Sequence, residues 1–199
     1  MNLTDVVSYF DAHAASWDAE MICSAEIVDR ILETALLQEH PAVLDVACGT
    51  GVMFPFYLRR GARHVTAIDI SPVMAEIAGE KAAGLPIEVL CGDAAAYPFA
   101  EKFDAIMIYN AFPHFPEPEK LLGALSGHLL PGGTLTVAHG MSRAAIARHH
   151  AGSAARVSLE LPAAEEVARW MEPYCAITTI VDSATMYQVT GIVKEDIIL

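Results

Sequence analysis

Five short apolar runs, each followed by a stretch long enough for a helix, constrain this chain more than any other feature. They fall at residues 43–47, 65–69, 87–90, 103–109 and 134–138. Runs of that length, rich in Val, Ile, Leu and Ala, suit strands buried on both faces. Strands alternating with helical segments imply right-handed crossovers, hence a parallel sheet with helices on both faces. The runs at 177–181 and 186–193 break this rhythm, because too few residues separate them for a crossover helix. They are expected to pair as an antiparallel hairpin at the sheet edge. The predicted fold is α/β and doubly wound, with five parallel strands and a C-terminal hairpin.

Local punctuation agrees with this order. Ser71 can cap a helix whose first position is Pro72, where a missing N–H is harmless. Pro55 is compatible with the first crossover helix only if that helix starts near Met53. Before the first strand, Ile22, Ile27, Ile31, Ala35 and Leu36 fall near one face of a helix. At 199 residues the chain suits one domain. Its expected parts are an N-terminal helical segment (1–40), a core (41–139), further helices (140–175) and the hairpin (176–199).

Charge excludes some partners. Twelve Lys and Arg against 25 Asp and Glu give −13, and no basic stripe offers itself to phosphates, so nucleic acid is not an expected partner. An anionic membrane surface is disfavoured for the same reason. No apolar run approaches the ~18 residues of a membrane span. The N-terminal stretch has two early acids and no basic flank, unlike a secretory signal, so a cytoplasmic location is expected. Cys23, Cys48, Cys91 and Cys175 are scattered and read as small hydrophobes rather than a disulfide or zinc framework.

The chemistry starts at Asp45-Val46-Ala47-Cys48-Gly49-Thr50-Gly51, the end of the first run. Gly49 and Gly51 lack the Cβ atoms that would keep a ligand from the backbone. The helix N-terminus that follows offers unpaired N–H groups, and ligands of doubly wound sheets bind at this end of the strands. A Gly-rich turn also serves dinucleotides. Asp69 and Asp93, at the tips of the second and third runs, favour a nucleoside clamp instead: one carboxylate for ribose hydroxyls, one for an adenine amino group.

These segments resemble class I S-adenosylmethionine (SAM)-dependent methyltransferases, particularly the small ubiquinone/menaquinone-methyltransferase-like group. The resemblance rests on residues 43–51, Ala67-Ile68-Asp69-Ile70-Ser71, Gly92-Asp93-Ala94 and Leu129-Leu130-Pro131-Gly132-Gly133-Thr134-Leu135. Tyr9-Phe10-Asp11 and Trp17-Asp18 are similar to the lid that precedes the core there. It implies a Rossmann-like fold with SAM as cofactor, S-adenosylhomocysteine (SAH) as product, and residues 1–40 as lid. It also implies that Asp45, Ala47, Gly49 and Gly51 line the amino-acid end of SAM and that Asp69 binds the ribose. Ile70 and Met74 would flank the adenine, Asp93 and Ala94 would read its edge, and Tyr109 and Asn110 would lie beside the sulfonium. The family often has Gly where Ala47 stands. Residues 140–175 match no subgroup and would encode the substrate side.

Aromatic rings attract a sulfonium cation, which makes Tyr9, Trp17 and Tyr109 candidates to face it. Where an acceptor must lose a proton, histidine suits. His40 and His64 precede strands at the far end of the sheet, and His128 lies late in a helix; these three read as structural. His13, His114, His139, His149 and His150 fall on segments that converge at the ligand end. The expectation is that His114, His139 and His149 or His150 line an acceptor pocket with one as general base, and that Arg143 binds an anionic group of the substrate. A variant has three of these histidines holding a divalent metal, although no metal-binding spacing is present and no metal residue is assigned.

The expected function is methyl transfer from SAM to a small molecule. The alternatives are metal-assisted transfer or another SAM-dependent reaction, and a non-catalytic SAM-binding regulatory subunit. A homodimer is compatible with the sequence.

Overall fold

The computed structural model describes residues 1–36, 38–39 and 41–194. Seven strands form one sheet: β1 (Ala42–Val46), β2 (His64–Asp69), β3 (Ile87–Cys91), β4 (Phe103–Tyr109), β5 (Leu129–His139), β6 (Cys175–Asp182) and β7 (Tyr187–Val193). Their order is β3-β2-β1-β4-β5-β7-β6. The first five run parallel, and β7 pairs antiparallel with both β5 and β6. The expected doubly wound sheet with a terminal hairpin is present, and the chain reverses direction of winding between β1 and β4.

Helices cover both faces. On one lie α3 (Ala25–Ala35), α4 (Phe54–Arg59) and α5 (Pro72–Ala82), packed on Val43, Val65, Ala67 and Met107. On the other lie α6 (Pro118–Ser126), α7 (Arg143–His150) and α8 (Ala164–Met171), packed on Leu44, Ile106, Val137 and Val189. Pro55 is accommodated because α4 starts at Phe54 with Met53 as cap residue. Ser71 caps α5, its hydroxyl accepting the Met74 N–H at 3.1 Å. No helix among the described residues is long and apolar enough to cross a membrane.

Several expectations need correcting. The N-terminal segment is not one lid. Residues α1 (Leu3–His13) and α2 (Trp17–Glu20) cover the ligand end, whereas α3 is a core helix with Val28, Ile31, Leu32 and Ala35 buried. Ile22 is in neither helix. Met21 turns the chain extended, Ser24 caps α3, and Ile22 between them is 66% exposed. Strand β5 begins earlier than expected, at Leu129. Leu129 pairs with Phe103 and Thr134 with Ala105, so Pro131-Gly132-Gly133 forms a bulge inside the strand. Of the 140–175 segment, α7 and the 3-10 turn Ser153–Val157 lie at the ligand end, whereas α8 buries Val167 and Met171 in the core. His128 falls in the turn after α6, and His40 lies outside the described residues.

Candidate functional site

The turn after β1 is built on the left-handed backbone of three residues, Ala47 (φ 55°), Gly49 (φ 55°) and Gly51 (φ 86°). A Cβ on Gly51 would lie 2.4 Å from the Phe54 ring, so this glycine shapes the turn from behind. Gly49 faces the open side. There an added Cβ would stand 3.7 Å from Trp17 Nε1 of the lid, which leaves room for a ligand to run along the backbone. Asp69 holds the turn in place. One of its oxygens accepts the Gly49 N–H at 2.8 Å and the other the Ser71 N–H at 2.9 Å. Burial pushes its pKa up, and these amide bonds oppose that shift.

A cleft opens between this turn and the tips of β2, β3 and β4. Ala47, Gly49, Asp69, Ile70, Met74 and Asp93 line it from one side. Ala94, Tyr109 and Asn110 line it further along, and Trp17 covers it. Asp93 is fixed by accepting the Ala95 N–H at 3.0 Å. Asn110 has a left-handed backbone (φ 55°), and its side chain accepts the Gly140 N–H at 2.9 Å, tying β4 to the end of β5. Asp45 and Gly51 do not reach the cleft surface. Asp45 lies beneath the turn, 1% exposed, where one oxygen accepts the Tyr57 hydroxyl at 3.1 Å and the other has no partner among the described residues. Burial raises its pKa to about 7; the Tyr57 hydrogen bond opposes the shift and the Asp69 charge adds to it.

The lid is latched over this cleft by two acids. Asp11 accepts the Ser71 hydroxyl at 2.5 Å, and Asp18 accepts the Thr50 hydroxyl and pairs with Lys81. Phe10 then lies edge-on to Trp17 and to His114, with ring centroids 5.4 and 4.9 Å apart. Sequence reading named the lid segment but assigned no role to Phe10, Asp11 or Asp18. The hydrogen-bond partners of the two acids are 32 to 63 residues away, and no local pattern announces such pairing.

Next to the cleft is a chamber of about 240 Å³. Phe10, Trp17, Met21, Asn110 and His114 line both spaces, so the two share a wall. His13, His139, His149 and His150 complete the chamber with Tyr9, whose ring stacks on His13 at 4.2 Å between centroids. Five histidines from four segments therefore do converge. His114 Nδ1 donates to the Val157 carbonyl at 2.8 Å, with the Ser158 hydroxyl 3.3 Å away. Since a carbonyl only accepts, Nδ1 carries the proton and Nε2 keeps the lone pair. Burial lowers the His114 pKa to about 4, and the neighbouring His150 and His149 push the same way. His139 is 2% exposed, its Nε2 has no partner among the described residues, and burial takes its pKa to about 3. The His114, His150 and His149 rings follow one another at 5.0 and 6.0 Å between centroids, from the buried wall to an exposed position.

Two expected partners are elsewhere. Arg143 does not line the chamber, because its guanidinium turns outward to the Leu161 carbonyl (3.0 Å) and Asp182 (3.3 Å). Tyr109 lines the cleft with its ring, but its hydroxyl is buried on the α3 side, where a Cβ on Gly140 would touch it. The chamber histidines do not form a metal-binding set either. Among the described residues, the group whose ligand atoms lie within 4.8 Å of one another is His64, Glu88 and Glu101, at the opposite end of the sheet.

Residues 43–133 match the family described as methyltransferase domain. The chain is 38% identical over 112 residues to demethylmenaquinone methyltransferase of Thermus thermophilus, covering 54% of this chain and 51% of that one. It spans about half the length of the curated relatives it matches. The N-methyltransferase NodS of Bradyrhizobium japonicum, solved in complex with SAH, superposes with a TM-score of 0.75 at 17% identity over 96% of this chain and 100% of that one. The [4+2]-cyclase SpnF superposes with a TM-score of 0.72 at 22% identity, covering 90% and 75%. One backbone plan thus houses different chemistries, and activity has to be argued from the site.

Proposed function

We propose that the chain, whose residues 43–133 match a methyltransferase domain, binds SAM in the cleft and methylates a small molecule held in the histidine chamber. The observation that supports this most is the shared wall: a cleft with acids at the tips of β2 and β3 adjoins a histidine-lined chamber. The residues fit this cofactor. Asp69 and Asp93 offer carboxylates to ribose and adenine, and Ile70 and Met74 offer apolar surface to the adenine faces. Gly49 leaves the backbone approachable. Asp45 stays beneath the turn, where its hydrogen bond from Tyr57 braces the backbone that faces the ligand. Bound SAM supplies a methyl group already activated on a sulfonium sulfur.

The protein's share of the chemistry is positioning and proton removal. Holding nucleophile, carbon and sulfur in line can supply about 7–11 kcal/mol. Phe10 and Trp17 close over both spaces, exclude water, and present aromatic faces to the cation. The lone pair of His114 Nε2 orients an O–H or N–H of the acceptor. His150 and the exposed His149 lie beyond His114 toward solvent, with ring centroids 5.0 and 6.0 Å apart in turn. His139 offers a second neutral imidazole to the same acceptor. Among the described residues no Lys or Arg lines the chamber, whereas Glu20 does, so the part of the acceptor that enters it carries no negative charge.

Incubation with methyl-tritiated SAM and fractionated small-molecule extracts tests this reading: label moves to an acceptor and SAH accumulates. SAM recovered unchanged from every fraction would refute it and leave a binding module. His114→Gln should lower kcat about 100-fold, the scale of a lost general base, with SAM affinity within twofold. Unchanged turnover would remove His114 from the mechanism.

A further inference from the structure

Arg143 faces away from the chamber, but not into bulk solvent alone. It lines a groove of about 450 Å³ between α7 and residues 155–161. Ile146 and His150 line both groove and chamber, so the two spaces adjoin at the His150 side chain. Arg148 lies one turn from Ala144 and next to Ala147 and Ala151, all three lining the groove. Arg156 follows Ala155, another lining residue, so Arg148 and Arg156 flank the groove rather than form its lining. Arg148 and Arg156 are exposed and have no ion pair among the described residues.

The charge around this groove opposes that of the rest of the protein. The chain carries −13 overall, yet residues 120–159 contain no Asp or Glu. Within that stretch Arg143, Arg148 and Arg156 cluster on α7 and the following turn, with His149 and His150 beside them. The acids that face the group are Glu160 at the groove's far end and Asp182, engaged with Arg143. With a net charge of −13 the protein repels anions at long range, and this stretch locally opposes that field. The chamber holds no cation to pair with an anion, and an unpaired buried charge is costly.

We propose that the groove is the subsite for an anionic tail, a phosphate or a carboxylate, on an acceptor whose uncharged reacting head enters the chamber past His150. The inference rests on the chamber being the acceptor site. Arg148 and Arg156 hold the tail through guanidinium hydrogen bonds, the geometry in which such anions bind best. Arg143, braced by Leu161 and Asp182, gives the groove a fixed positive floor.

The test uses the full chain saturated with SAH and three probes: phenyl phosphate, phenol and inorganic phosphate, with binding followed by calorimetry. Phenyl phosphate should bind at least tenfold tighter than either of the others. Arg148→Ala with Arg156→Ala should erase that gain and leave phenol affinity unchanged, with circular dichroism confirming the fold. Benzoate in place of phenyl phosphate distinguishes carboxylate from phosphate as the preferred tail. Equal affinities in the wild type, or a gain that survives in the double variant, would overturn the proposal. Tight binding of phenyl phosphate by a protein that never forms SAH would instead refute methyl transfer and leave the groove standing.

Discussion

Replacing Asp45 by Asn should change how stability responds to pH, and by a predictable amount. The carboxyl is 1% exposed, accepts one hydrogen bond, from Tyr57, and titrates near 7 when folded against 3.8 as a free side chain. Between those pH values the native state holds a proton that the unfolded chain has released. The stability this proton contributes is therefore fully present below pH 3.8 and is lost as pH rises through 7. At about 1.4 kcal/mol per pH unit, a window of about 3 units amounts to about 4 kcal/mol. Asn has the same shape, can still accept from Tyr57, and does not titrate. Its amide N–H groups cost about 1–3 kcal/mol if unpaired, but that cost is independent of pH. The measurement is urea unfolding of the ligand-free protein, wild type and variant, from pH 4 to pH 8. The stability of the variant relative to wild type should rise by about 4 kcal/mol across the range. A difference constant to within about 0.5 kcal/mol would show that Asp45 is charged in the fold, and the burial argument would fail.

Other outcomes follow from the same geometry. Asp11→Asn with Asp18→Asn loosens the lid, and since such partly exposed contacts contribute about 1 kcal/mol together, SAM should bind roughly fivefold more weakly; an unchanged Kd by calorimetry counts against the latch. Ala47→Gly relieves a left-handed backbone that costs a residue with a Cβ about 1–2 kcal/mol. Set against the added freedom of the unfolded chain, it should stabilise the protein by about 0.5–1 kcal/mol, and a fall in Tm would contradict the strain.

The parallel core was legible because burial on both faces leaves continuous apolar runs. Residues 103–109 were read to the residue as β4 for that reason. The Pro-Gly-Gly bulge hid the start of β5, since a run interrupted by Pro131 does not read as strand. The spacing of Ile22 from Ile27 and Ile31 is helical, yet Ser24 caps the helix between them. In the candidate site, Asp69, Asp93 and the Gly49 turn lie on strand tips, where topology alone places them. His114 and His139 follow strands, so topology places them at the same end, whereas His13, His149 and His150 lie on helices. The orientation of Arg143 was not, because it depends on Leu161 and Asp182, whose positions only tertiary packing fixes. The tautomer of His114 depends likewise on the carbonyl of Val157.

The placement of β7 between β5 and β6 has a consequence for how the protein is made. Until residues 187–193 emerge and insert, β5 presents a bare row of amides and carbonyls, with Leu135 and Val137 alongside, to any neighbouring chain. The segment matched by the methyltransferase family, 43–133, ends inside β5 and so cannot seal its own edge. The cofactor half most similar to other proteins relies for its closure on the hairpin outside that match. An excised 43–133 fragment should aggregate rather than fold, and during synthesis the incomplete sheet is the species that chaperones would have to shield.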